Sequence, residues 1–329
     1  MELTQTSIRT WADENGIPSL IMAEQDLRLL YTLQAIYSDP YLSPRLGLKG
    51  GTALNKLYFT ELGRLSLDLD FNALGTKEAV FADRWPVIDR ITAHLTGQNS
   101  NYAIKTNYTY EQTTIRATYL PSLGTSPQSI KLEISFVERF PILAPVTKSL
   151  EIPALGEPFF IQTYALEELV ATKIRALHDR MKGRDIYDLD QAATLPFDKT
   201  IVRKMVLYYF YRARKVFNHE SFIANIENKL PRSGFVSDVQ GFLRTDLAFQ
   251  FHQATERVIS SYDFLADLGE RDTTFLLLAC HLLGQPIPKS RRADVQAIEF
   301  PLRYLFEGHP ITPEARNATV DDIRLYRKA

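Results

Sequence analysis

The sequence predicts an α+β (mixed α/β) chain in which a sheet-bearing half, residues 1–160, precedes a mainly helical half, residues 161–329. Three observations predict it. Segments with apolar residues at every second position occur only in the first half. Apolar spacings of three and four residues recur in both halves and dominate the second. Between them, Pro141, Pro145, Pro153 and Pro158 punctuate a stretch that cannot be helix interior.

Taken in order, Leu27, Leu30, Leu33 and Ile36 give residues 23–37 a helical stripe. A short apolar run at 46–48 leads into Lys49-Gly50-Gly51-Thr52, and residues 53–58 read as helix again. Residues 65–71 alternate apolar and polar, the period of a strand with Leu67, Leu69 and Phe71 turned to the core. A helix is predicted over about residues 77–95, and β-rich runs over 102–119 and 129–138. Beyond the prolines, residues 165–182 are strongly helical, as is most of the chain from 198 onward, and no repeat of fixed period is present.

Composition sets bounds on function. Hydrophobic residues make up 45% and charged residues 23%, an ordinary globular balance. The net charge of −1 gives no global attraction to nucleic acid, so an RNA partner would need a local basic patch. A single cysteine, Cys280 in the apolar run 276–283, excludes a disulfide framework and reads as a small buried hydrophobe. The first residues lack an apolar signal core, and no apolar run approaches membrane-spanning length, so a cytoplasmic location is expected. No histidine pair has metal-ligand spacing, and His178 reads as a packing or surface residue. In the helical half, residues 208–215 interleave aromatics with bases, which fits a core helix with a wet basic end better than a nucleobase platform. The basic tail at 324–328 reads as solvated.

The chemistry concentrates at Asp68 and Asp70. One residue apart on a strand, their carboxylates leave the same face and repel each other unless a cation intervenes. Oxygen-only ligands suit Mg²⁺, with Mn²⁺ as the alternative ion, and Glu133 on another alternating segment is a third candidate ligand. A bare Asp-x-Asp is common on solvated strands and decides nothing alone. Gly50-Gly51-Thr52 between strand and helix adds backbone that can approach a phosphate, with the Thr52 hydroxyl beside it. Lys49 could face either way. If one helix runs through Gly183, then Lys173, Arg180 and Arg184 share a basic stripe with Asp188 near it. Gly183 could equally end that helix.

In conjunction, strand, Gly-Gly-Thr, helix and Asp-x-Asp strand resemble the core of polymerase-β-type nucleotidyltransferases. Residues 48–54 and the pattern Arg64-x-Ser66-x-Asp68-x-Asp70-Phe71 are similar to the AbiEii/AbiGii toxin family. The family's later pattern, Lys-x-x-Ala and then Arg-x-x-x-Arg-Asp-x-x-Asp, is met by Lys173 and Ala176, then Arg180, Arg184, Asp185 and Asp188. The gap from Gly-Gly to Asp-x-Asp is longer than in the wider superfamily, and Thr52 stands where Ser is common.

The resemblance implies a polymerase-β-type core followed by a helical domain that brings a basic helix to the active-site cleft. It implies catalytic roles for Asp68, Asp70, Lys173 and Asp188, and nucleotide binding by Lys49, Gly50, Gly51, Thr52, Ser66, Arg180 and Arg184. Asp68, Asp70 and Glu133 would hold the metal. It further implies a nucleoside triphosphate donor, an RNA acceptor at the tRNA 3′ end, and control by a cognate antitoxin. A protein or small-molecule acceptor, or a nucleotide- or RNA-binding module without catalysis, are the alternatives.

Overall fold

A computed structural model describes residues 3–60, 63–230 and 232–318. The basic tail at 324–328 lies outside the described residues. The chain divides into two compact units. Unit 1 comprises Met1–Phe140, Pro145–Tyr164 and Gln240–Phe249, and unit 2 comprises Pro141–Ala144, Ala165–Val239 and Gln250–Ala329.

Unit 1 holds a seven-stranded mixed sheet. Its strands are β1 (Leu46–Lys49), β2 (Asp68–Ala73), β3 (Ala103–Tyr108), β4 (Gln112–Tyr119), β5 (Gln128–Ser135), β6 (Val146–Leu150) and β7 (Phe159–Thr163). Their spatial order is β3-β4-β5-β2-β1-β7-β6. β2 pairs parallel to β5 and β1 parallel to β7, and the other neighbours are antiparallel. Alternation in β4 shows why these residues form strands: Thr113, Ile115, Ala117 and Tyr119 are buried, while Gln112 and Arg116 at the alternate positions are exposed and Thr114 and Thr118 half-buried. The β3–β4 turn is closed by Thr109, whose N–H donates to Gln112 O and whose hydroxyl accepts from the Glu111 and Gln112 amides.

The helix Leu20–Ser38 lies against the sheet's apolar face, burying Leu27, Leu30, Leu33 and Ile36. The helix Arg84–Gln98 packs beside it through Val87, Ile88, Ile91 and Leu95. Together they cover Leu69, Phe71, Ile115, Leu132 and Ile134, whose transfer from water drives this half of the fold. The opposite face keeps the polar members of β2, β3, β4 and β5.

Several boundaries differ from the sequence pattern. β2 starts at Asp68, because Leu65 donates its N–H to Phe242 O and Arg64 bridges Leu243. Leu67 is therefore half-buried and not a core residue. The helix expected over 77–95 is two, Lys77–Ala82 and Arg84–Gln98, joined at Asp83. β6 and β7 form inside and after the proline-rich stretch, where the sequence showed no strand.

Among its described residues, the regular elements of unit 2 are helices joined by turns and irregular chain. Leu166–Arg180 packs on Gly183–Ala192 and on Lys199–Arg212. Tyr208, Tyr209, Phe210, Tyr211 and Arg212 are all buried, so this aromatic run is core. Cys280 is half-buried rather than buried, since it falls toward the wetter side of Glu270–Leu282 while Leu278 and Ala279 take the core.

The continuous basic helix does not form. Leu166–Arg180 ends because Met181 adopts a left-handed conformation, φ 47°, and a new helix starts at Gly183. A Cβ at Gly183 would collide with the backbone oxygen of Phe235, so glycine is required for close packing there.

Candidate active site

The unit 1 site is built on the polar face of β2. Asp68 and Asp70 occupy alternate positions and are half-buried, while Leu69 and Phe71 point to the core and are fully buried. Strand register sets their neighbours. Lys131 of β5 is opposite Asp68, and Asp70 lies between Glu133 of β5 and Lys49 of β1.

Most of these charges are compensated. Lys49 Nζ lies 2.6 Å from Glu138 Oε2, and Lys131 Nζ lies 3.1 Å from Glu133 Oε2. Thr114 Oγ1 stands 3.5 Å from Glu133 Oε1. Neither the Asp68 nor the Asp70 carboxylate takes a hydrogen bond or an ion pair from any described residue. Burial pushes the Asp70 carboxyl above its ordinary range, Lys49 opposes that rise, and the charges of Glu133 and Asp68 add to it.

The glycine turn sits directly on this pair. Gly50 has φ +74°, and a Cβ there would collide with Asp70 Oδ2, so both backbone conformation and space demand glycine. Thr52 is buried, its hydroxyl bonded to the Asp68 carbonyl and 2.9 Å from Ser66 Oγ. Thr52 and Ser66 thus brace the turn against β2. The helix after the turn is one α-helical turn, Gly50–Ala53, continued as a π-helix, Leu54–Tyr58, closed by Phe59 N–H on Leu54 O at 3.0 Å. Asn55 donates to Gly51 O at 2.8 Å, and Lys56 reaches buried Asp26 at 2.9 Å, where Trp11 Nε1 also donates. The turn is held from three sides.

These residues suit Mg²⁺ in number and kind. One or two carboxylates plus substrate phosphates are its usual protein-side complement, and Asp68 and Asp70 are two hard oxygen donors without another partner. Among the described residues no group of three His, Cys, Asp or Glu is gathered as a metal cluster. Glu133, though opposite Asp70, has its carboxylate turned to Lys131.

The other sequence-predicted residues fall in unit 2. Lys173 Nζ lies 3.1 Å from Asp185 Oδ1 and 2.8 Å from Asp188 Oδ2, with all three side chains buried. Arg180 closes on Asp185 with Nε at 2.9 Å and Nη2 at 2.7 Å. Burial would raise the Asp185 carboxyl, but Lys173 and Arg180 together hold it below its ordinary range. Arg184 donates its backbone N–H and Nε to Asp238 at 3.2 and 3.3 Å. His178 packs edge-on against Phe210.

A family model for the nucleotidyl transferase AbiEii toxin of type IV toxin–antitoxin systems matches residues 31–261, more than half of the chain. The chain belongs to the AbiEii family. Membership makes its activity nucleotidyl transfer from a nucleoside triphosphate, within a type IV toxin–antitoxin system that implies an antitoxin as counterpart. Among solved structures, MenT4, a nucleotidyltransferase toxin from Mycobacterium tuberculosis, is 21% identical with a TM-score of 0.62, covering 90% of this chain and 97% of its own. That is a likeness of fold. JHP933 from Helicobacter pylori is 18% identical with a TM-score of 0.46, covering 74% and 93%. No curated protein matches the sequence significantly. Among the described residues no helix of this AbiEii chain is long and apolar enough to cross a membrane.

Three residues that serve the AbiEii site escape a motif search. Glu138, which fixes Lys49, carries no motif and comes near only through pairing of distant strands. The Asp26–Lys56 pair leaves a fainter signal, since Asp26 interrupts the apolar stripe of Ala23, Leu27 and Leu30 on a buried helix face.

Proposed function

We propose that this AbiEii toxin holds the triphosphate of a nucleoside triphosphate and a Mg²⁺ ion on Asp68 and Asp70, and transfers the nucleotide to the 3′ end of tRNA. The observation that carries this reading is the pair of carboxylates on one face, without protein partners, beneath a turn that only glycine can form. Leaving two like charges side by side without a hydrogen bond or ion pair of their own is costly to a fold, and a site that binds a cation and phosphate has reason to keep them so. Mg²⁺ supplies charge neutralisation and Lewis acidity to such a reaction when bound.

The chain's own residues divide the remaining work. Gly50 and Gly51 admit phosphate close to the backbone, and Thr52 and Ser66 keep that turn seated on β2. Lys49, oriented by Glu138, adds positive charge beside Asp70. The acceptor hydroxyl oxygen bonds to the α-phosphorus, the bond to pyrophosphate breaks, and Asp70 or Glu133 takes the hydroxyl proton. Lys173, Arg180, Arg184 and Asp188 share in nucleotide handling on this reading, supported by their match to the family's later motifs. In the structure Lys173 and Asp188 meet Asp185 in a buried cluster that the exposed Arg180 closes from outside, so any part they take is through positioning of their helices.

The test incubates the purified chain with each labelled triphosphate, Mg²⁺ and total tRNA. Label is expected on the RNA 3′ end, with pyrophosphate released, and Asp68→Ala and Asp70→Ala are expected to abolish both. Label on protein or on a small molecule instead would replace the acceptor. Absence of any transfer, with both variants as toxic to cells as the parent, would overturn the reading.

A further inference from the structure

Strand register builds a feature that no sequence motif announces. Lys105 of β3 is paired with Arg116 of β4, Arg116 with Lys131 of β5, and Lys131 with Asp68 of β2. Directly paired residues on adjacent strands share a face, so Lys131, Arg116 and Lys105 form a single file of cations leading away from Asp68. Three strand spacings of roughly 4.8 Å carry the file about 14 Å from the carboxylates to the open edge of the sheet.

The two outer cations of the file are accessible and unspent, and the innermost, Lys131, is half-buried and shared with Glu133. Lys105 and Arg116 are exposed, and Lys105 has no ion-pair partner among the described residues. Arg116 gives one N–H to Ser129 Oγ at 2.9 Å and retains other donors of its guanidinium fork. The next row on the same face, Asn107, Thr114 and Glu133, is polar. Glu133 is the one acid among β3, β4 and β5 on this face, and it is already paired to Lys131. Of the large exposed apolar side chains nearby, Tyr108 alternates to the other face, Tyr110 is in the turn, and Leu120 follows the end of β4.

We infer that this row is the track for the acceptor RNA, with consecutive backbone phosphates of a single-stranded 3′ end seated on Lys131, Arg116 and Lys105. This rests on the reading that the acceptor is RNA. Charge complementarity favours it over a protein partner, because the face offers cations in line with the reaction centre and lacks the apolar core that a protein interface buries. A strand whose terminal hydroxyl meets the α-phosphate beside Asp68 must run its own phosphates off in some direction. Within unit 1 the row is the direction that neutralises them.

The test measures fluorescence anisotropy of a single-stranded RNA oligonucleotide with a free 3′ hydroxyl against the full chain across a salt series. Lys105→Ala and Arg116→Ala should each reduce the log–log salt slope by about 0.7, and the Lys105→Glu/Arg116→Glu pair should weaken binding at least about tenfold. The thermal shift given by Mg²⁺ and triphosphate should be unchanged in all of them. Variants with parental affinity and slope overturn the proposal, as does a parent that binds no oligonucleotide. So does an unchanged oligonucleotide affinity accompanied by altered neutralisation by the antitoxin, which would make the face a protein-docking surface. If the double reversal fails to fold, the exposed Lys105→Ala decides alone. A parent that binds the oligonucleotide through this row yet releases no pyrophosphate would sink the transfer reading and leave the track standing.

Discussion

Unit 1 and unit 2 each place acidic side chains close together, and they treat them in opposite ways. In unit 2, Asp185 and Asp188 are fully buried, but Lys173 sits between them and Arg180 covers Asp185. Cations there more than offset burial, and the Asp185 carboxyl is held low. In unit 1, Asp68 and Asp70 are only half-buried, yet they receive no partner and Asp70 is pushed up. Basic residues are at hand, but Glu138 and Glu133 engage Lys49 and Lys131. Compensated charge holds a fold together, whereas charge left without a partner marks where a ligand is to supply one.

The largest effect that could break this contrast is catalytic. Asp70→Asn is expected to lower nucleotidyl transfer by about a thousandfold or more, several kcal/mol of transition-state stabilisation. The same substitution removes one of two like charges, so the ligand-free protein should melt at or above the parental Tm in scanning calorimetry. A variant that loses activity by unfolding would place Asp70 with the structural carboxylates.

Next comes the converse change. Lys173→Ala leaves two buried carboxylates facing each other and should cost about 3–5 kcal/mol, read as a lower urea midpoint. Parental stability for this variant would show that the unit 2 cluster is not what fixes its helices.

The smallest effect sharpens the contrast through pH. Glu168 in unit 2 is fully buried, and burial raises its carboxyl to about 7 against hydrogen bonds from Tyr209 and the Ile142 and Leu143 amides. Between its ordinary 4.5 and about 7, the native state keeps a proton that the unfolded chain has lost. Stability from this group is therefore present at low pH and lost as pH rises through that window, by on the order of 3 kcal/mol. Denaturation at pH 5 and pH 8 measures it. Glu168→Gln should flatten the slope while lowering stability, because its amide N–H groups meet backbone donors.

The contrast also separates what was legible in the sequence from what was not. β2 and the glycine turn could be read because their information is local: alternation around Asp68 and Asp70, and two glycines ahead of Thr52. The charge state of the site could not, because Glu138 reaches Lys49 from 89 residues away along the chain. β6 and β7 were hidden by prolines that sit beside the strands rather than within them. The break at Met181 was obscured because a left-handed methionine is rare, while Gly183, the obvious suspect, serves the next helix's packing. Pattern reading carries to the nearest turn of chain and stops where pairing between distant segments begins.

The π-helix at Leu54–Tyr58 has a consequence for how this loop can change. Its wider turn, Phe59 onto Leu54, takes up one residue more than an α-helical turn would. Losing a single amino acid there would return the coil to α-helical winding, and the stretch leading to Ser66 would start one residue short. The winding of those five residues therefore sets how much chain the glycine turn leaves for the return to Ser66, whose hydroxyl meets Thr52.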